Sequence, residues 1–97
     1  MRYEWDEQKN ESNQVKHGFD FADAHRVFLM PVSITLDDRF DYGEDRWLGI
    51  GLLDGRTVKI VFTEPEEEAR RIISLRKALQ YERKHYEQFI QDQLGAH

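Results

Sequence analysis

Asp54-Gly55 is the feature that most constrains how this chain can fold. It joins two β-rich runs, Arg46 to Leu53 and Arg56 to Thr63. Asp-Gly between such runs favours a two-residue type I′ hairpin turn, because that turn needs positive φ at both central positions. An antiparallel pair is therefore expected at the middle of the chain. Leu48, Ile50 and Leu52 share one face of its first strand, and Val58, Ile60 and Phe62 share one face of its second. Gly49 and Gly51 interrupt the first strand and mark a bulge or close packing.

The flanking segments are shorter signals. Tyr3 and Trp5 alternate with charged residues as a first strand. Asp6 suits an N-cap for a polar helix from Glu7 to Lys16, and Gly18 suits the left-handed position beyond its end. Val15 is that helix's main apolar anchor. Phe21, Ala24, His25 and Phe28 follow helical spacing until Pro31. Val32, Ile34 and Leu36 share one face of a further strand, and acidic loops follow at 37–45 and 64–68. Arg70 to Ser74 reads as the last strand, with Ser74 capping a final helix to about Gln93. The order is β-α-α-β-β-β-β-α. It predicts an α+β fold, a small antiparallel β-sheet with flanking helices, in a single domain over residues 1–97.

Bulk properties exclude several classes. The chain has 97 residues, net charge -5 and no cysteine, so disulfides and thiolate metal sites are out. Four scattered histidines form no His-x-x-x-His pair, so no metal or cofactor is expected. No apolar run reaches membrane-spanning length, and the opening residues form no apolar signal segment, so no membrane association and a cytoplasmic location are expected. A pI near 5.3 argues against broad, non-specific nucleic-acid binding.

A local exception stands out. Arg70, Arg71, Arg76, Lys77, Arg83 and Lys84 meet one acid, Glu82, within a single stretch. Such a basic strip in an acidic protein suggests an anion site, phosphate first. At helical spacing Arg76 stacks on Arg83 and Lys77 on Lys84, and an ordinary solvated face is the competing reading. Glu82 falls inside the apolar stripe of Leu75, Leu79, Tyr86, Phe89 and Ile90, so it is either paired with a sheet arginine (Arg46 or Arg71) or poised as an acid or base. Lys16-His17 is a second concentration of chemistry, since His titrates near neutrality. His25 reads as packing, and His85 and His97 as surface residues.

Trp5-Asp6, Lys9-Asn10, Asn13, Lys16-His17-Gly18 and Phe21 resemble the opening motif of BrnT-type toxins. Ala24, Phe28 and Pro31 continue it. Arg46, Gly49, Arg71-Ile72-Ile73-Ser74, Arg76-Lys77-Ala78, Glu82-Arg83 and Tyr86 resemble the rest. The resemblance implies a RelE-like fold, ribonuclease activity and membership of a type II toxin-antitoxin system. It also implies a small ribbon-helix-helix antitoxin that neutralises the toxin in a hetero-oligomer and brings the pair to operon DNA.

Joined to the residues above, this predicts metal-independent RNA cleavage by attack of a ribose 2′-hydroxyl on its neighbouring phosphate. Arg46 and Arg76, assisted by Lys16, are the expected phosphate stabilisers. His17 or Glu82 is the expected proton carrier, and Tyr86 a further donor. Arg71, Lys77 and Arg83 are expected to bind RNA. The rival is a non-catalytic module whose basic strip binds an acidic partner.

Overall fold

The computed structural model describes residues 1–95. The central hairpin has the expected bounds, β3 Arg46–Leu53 and β4 Arg56–Thr63, with φ of 52° at Asp54 and 77° at Gly55. Both positive values fit the type I′ geometry. Around it lie β1 Arg2–Glu4, α1 Glu7–His17, a 3-10 turn Phe21–Asp23, α2 Ala24–Val27, β2 Ser33–Asp37, β5 Ala69–Lys77 and α3 Gln80–Gly95. The second helix is thus a 3-10 turn followed by a single α-turn.

The sheet order is β1-β5-β4-β3-β2. Three neighbouring pairs are antiparallel, but β1 runs parallel to β5, with Arg2 beside Ala69. The sheet is therefore mixed, which corrects the antiparallel expectation. Parallel neighbours need a long crossover, and here the crossover runs from residue 5 to residue 68 and contains every other strand.

The core lies on one face. Val58, Ile60 and Phe62 of β4 and Ile72 and Leu75 of β5 pack against Phe21, Ala24 and Val27. Leu48, Ile50 and Leu52 share one face of β3 as expected, and the more deeply buried face is the other one, with Gly49, Gly51 and Leu53. The glycines are there for space: a Cβ at Gly49 would stand 2.9 Å from Ile60 Cγ2 and 3.1 Å from Val32 Cγ1. On β2 the expected apolar face is real, but Ile34 and Leu36 are 44% and 46% exposed. Ser33 and Asp37, on the other face, are the buried residues.

Helix α1 begins at Asp6, whose carboxylate accepts the Lys9 N–H, and ends at Gly18 with φ 76°. Its anchor is not Val15, which is 88% exposed. Two buried asparagines hold it. Asn13 donates to Leu75 O at 2.8 Å and accepts the Leu75 N–H at 3.2 Å. One side-chain amide thus makes the two bonds of a missing neighbouring strand, where β1 has already ended. Asn10 accepts the Phe21 N–H and donates to Asp20.

Candidate functional site

The last strand runs on to Lys77, and α3 starts only at Gln80. Ser74, Leu75, Arg76 and Lys77 are therefore strand residues, and Arg76 and Lys77 do not stack on Arg83 and Lys84 along a helix. Register then sorts the cations between the two sheet faces. Arg70 points to the core side. Its guanidinium lies 3.9 Å from the Phe28 ring centre and donates to Tyr3 Oη at 3.0 Å. It plugs the edge of the core. Arg71, its neighbour, points the other way and pairs in register with Thr63.

That second face carries most of the expected site. Arg71 pairs with Thr63 and Arg46 with Asp37, and the β3–β4 register carried one step beyond Trp47 and Phe62 sets these four in one cross-strand row; Arg76, Lys59, Ile50 and Ser33 form another. Ser74, beside Val61, lies between the rows on β5. Helix α3 lies over the second row. Glu82 receives both Arg76 terminal nitrogens, at 2.8 and 2.9 Å, with Lys59 Nζ at 3.4 Å. Farther along α3, His85 meets Ser33 Oγ at 3.1 Å, and the Tyr86 hydroxyl donates to Pro31 O at 2.7 Å.

Glu82 is 3% exposed and has a second duty: it accepts the Leu79 N–H, the reciprocal half of a capping box at the start of α3. Burial alone would raise its pKa. The Arg76 hydrogen bonds, the Leu79 N–H and the charges of Arg76 and Lys59 outweigh burial and bring it down to about 2. Its partners are Arg76 and Lys59, which replaces the expected Arg46 or Arg71. A carboxylate this acidic holds cations in place and is a poor proton carrier. Tyr86 is 4% exposed, with burial pushing its pKa up, and its hydroxyl is spent on Pro31 O, so it fastens α3.

The row of Arg71 and Arg46 is differently disposed. Arg46 stacks 4.0 Å from the Tyr42 ring centre, and among the described residues its buried Nε and the buried Oγ1 of Thr63, between the two arginines, have no hydrogen-bond partner. Arg71 is 3.9 Å from Glu4 and otherwise exposed. The two arginines stand two strands apart, roughly 10 Å at the backbone.

Lys16 and His17 are exposed at the end of α1. They line a groove of about 400 Å³ at the β5 edge, together with Asn13, Ile73 and Ser74. Ser74 thus borders both this groove and the arginine-bearing face. Lys77 and Arg83 are exposed. Of the other histidines, His25 is exposed with its ring against Tyr3 and bonded to Ala22 O, and His97 lies outside the described residues.

Sequence reading missed a third feature, a groove of about 340 Å³ lined by Ser33, Thr35, Arg39, Lys59, Glu82 and His85 among others. Lys59 had a usable signal: it is the one charge inside the apolar run Val58 to Phe62. His85 had none, because its partner Ser33 is distant in sequence. Among the described residues no group of three or more His, Cys, Asp or Glu side chains is placed to hold a metal ion. Among the described residues no helix is long and apolar enough to cross a membrane.

Comparison with known proteins gives these positions a context. No curated protein sequence matches the chain. The crystal structure of the Brucella abortus ribonuclease toxin BrnT is similar, with a TM-score of 0.64 and 35% sequence identity over 82% of this chain and 99% of that one. The profile described as the ribonuclease toxin BrnT of type II toxin-antitoxin systems matches residues 5–82, which hold the hairpin, both asparagines and the site residues from Lys16 to Glu82, but not Arg83, His85 or Tyr86. On that match and that structural likeness, the chain belongs to the BrnT family of ribonuclease toxins of type II toxin-antitoxin systems.

Proposed function

We propose that this chain is a RelE-like, metal-independent endoribonuclease of the cytoplasm that cleaves RNA and so arrests translation and growth. A cognate ribbon-helix-helix antitoxin neutralises it in a hetero-oligomer and carries the pair to operon DNA. The observation that supports this reading best is the cross-strand row with Arg71 at one end and Arg46 at the other.

In this mechanism Arg46 and Arg71 hold the scissile phosphate and stabilise the charge that builds on it as the 2′-hydroxyl attacks. Arg76 and Lys59, locked by Glu82, supply a fixed positive field behind them. His17 moves the proton, and Lys16 assists at the same edge. Lys77 and Arg83 contact the flanking RNA backbone. Glu82 and Tyr86 act by positioning, in place of the proton-transfer roles expected from sequence.

Purified chain incubated with RNA in EDTA is the test. Arg46→Ala and Arg71→Ala are each expected to lower the cleavage rate on the order of 100- to 1,000-fold. His17→Ala is expected to lower the cleavage rate on the order of 100-fold or more, and His85→Ala is the control for the neighbouring groove. Cleavage lost with His85→Ala and kept with His17→Ala would move the proton carrier to that groove. A wild-type chain that binds a partner but never cuts RNA would instead establish the interaction-module reading.

A further inference from the structure

Strand β2 is an outer strand of the sheet, and among the described residues nothing pairs with its free edge. Long, apolar, unprotected edges invite a partner strand. This one carries Ile34 and Leu36 side by side on one face, each close to half exposed, and is followed by Phe40 at 66% exposed. The loop after it is acidic, its one cation, Arg39, being paired with Asp37. Asp38, Asp41, Glu44 and Asp45 are exposed, and among the described residues none has a cation within ion-pair distance. Asp37 is different: it is buried, held by Arg39 and Tyr42, and fixes the base of the loop.

We propose that the free edge of β2, with Ile34, Leu36 and Phe40, takes an extended cationic segment of the antitoxin as an added strand. This rests on the toxin reading above. Main-chain bonds along β2 supply the attachment, the apolar pair selects alternate side chains of the segment, and the acidic loop selects its charge. The other face of β2 lines the groove of Ser33, Thr35, Lys59 and His85, so a segment docked here stands beside the RNA-facing side of the sheet.

The probe is the protein encoded by the reading frame adjoining this chain's own, co-expressed and then titrated against the purified chain. The double variant Ile34→Lys/Leu36→Lys is expected to bind it roughly tenfold or more weakly and to escape neutralisation, while cutting RNA as the wild type does. Val15→Lys, an equally drastic change at an exposed apolar residue of α1, is expected to bind normally. Wild-type affinity in the double variant, or equal weakening by Val15→Lys, overturns the docking site. Unchanged binding by Asp38→Lys/Glu44→Lys overturns the cationic character of the segment. A wild-type chain that dimerises alone, and a double variant that does not, gives the edge to a second copy instead. A wild type inert toward RNA and harmless to growth refutes the toxin reading itself, whereas an active wild type with a still-neutralised double variant refutes only the site.

Discussion

Glu82 shows how one buried carboxylate can serve two elements. It closes the N-terminus of α3 and pins Arg76 and Lys59 to the sheet. Its pKa of about 2, below the ordinary 4.5, ties folding to pH. The folded-state value is the lower one, so the stabilisation is complete above about pH 4.5 and drains away as pH falls toward 2. Glu82→Gln is expected to unfold more easily at pH 7, by on the order of 2–3 kcal/mol, with the gap to wild type closing near pH 2. Urea midpoints measured at pH 7, 4 and 2 check this; a gap independent of pH would show that the charge is not what matters. Sequence reading found the oddity of Glu82 because a carboxylate inside an apolar stripe breaks the pattern. It misnamed the partners because Arg76 was placed on a helix.

That misplacement has a cause at the level of elements. Register shifts between Val61 and Phe62, and Ile73 is the extra residue on β5. Ile72 and Leu75 consequently face the core three positions apart, and a spacing of three is what a helix shows. The bulge disguised a strand as the first turn of α3. The hairpin was legible because turn chemistry and alternation agree there. Helix α1 was legible at its ends and not along its packed side, since two asparagines replace the apolar anchors that periodicity detects. Asn13→Ala is expected to cost about 1–3 kcal/mol and to strip hydrogen-exchange protection from the Leu75 amide. Loss of stability without loss of that protection would place Asn13's contribution elsewhere. Gly49→Ala is expected to cost a similar 1–3 kcal/mol by overpacking against Ile60 and Val32, read as a lowered Tm with the RNA-facing side unchanged.

At the scale of the whole molecule, a net charge of -5 argues against broad, non-specific nucleic-acid binding and leaves room for a local site. The fold answers by location: Arg46, Lys59, Arg71 and Arg76 share one sheet face, while much of the acid sits in loops at 37–45 and 64–68. In the proposed complex only a few cations would then meet RNA. Affinity is expected to fall with salt at a log–log slope of roughly -2, as about three neutralised phosphates of a single strand would give. Arg71→Ala should flatten that slope by about 0.7; an unchanged slope would remove Arg71 from the interface. The parallel pairing of Arg2 with Ala69 carries one more consequence. Closing a loop of that length is slow, and its contacts are repaid only when both ends are present. During synthesis β1 leaves the ribosome first and waits for β5, the strand that bears Arg71 and Arg76. A chain still lacking β5 therefore has no assembled candidate site, because Arg71 and Arg76 join the sheet face of Arg46 and Lys59 only with that strand.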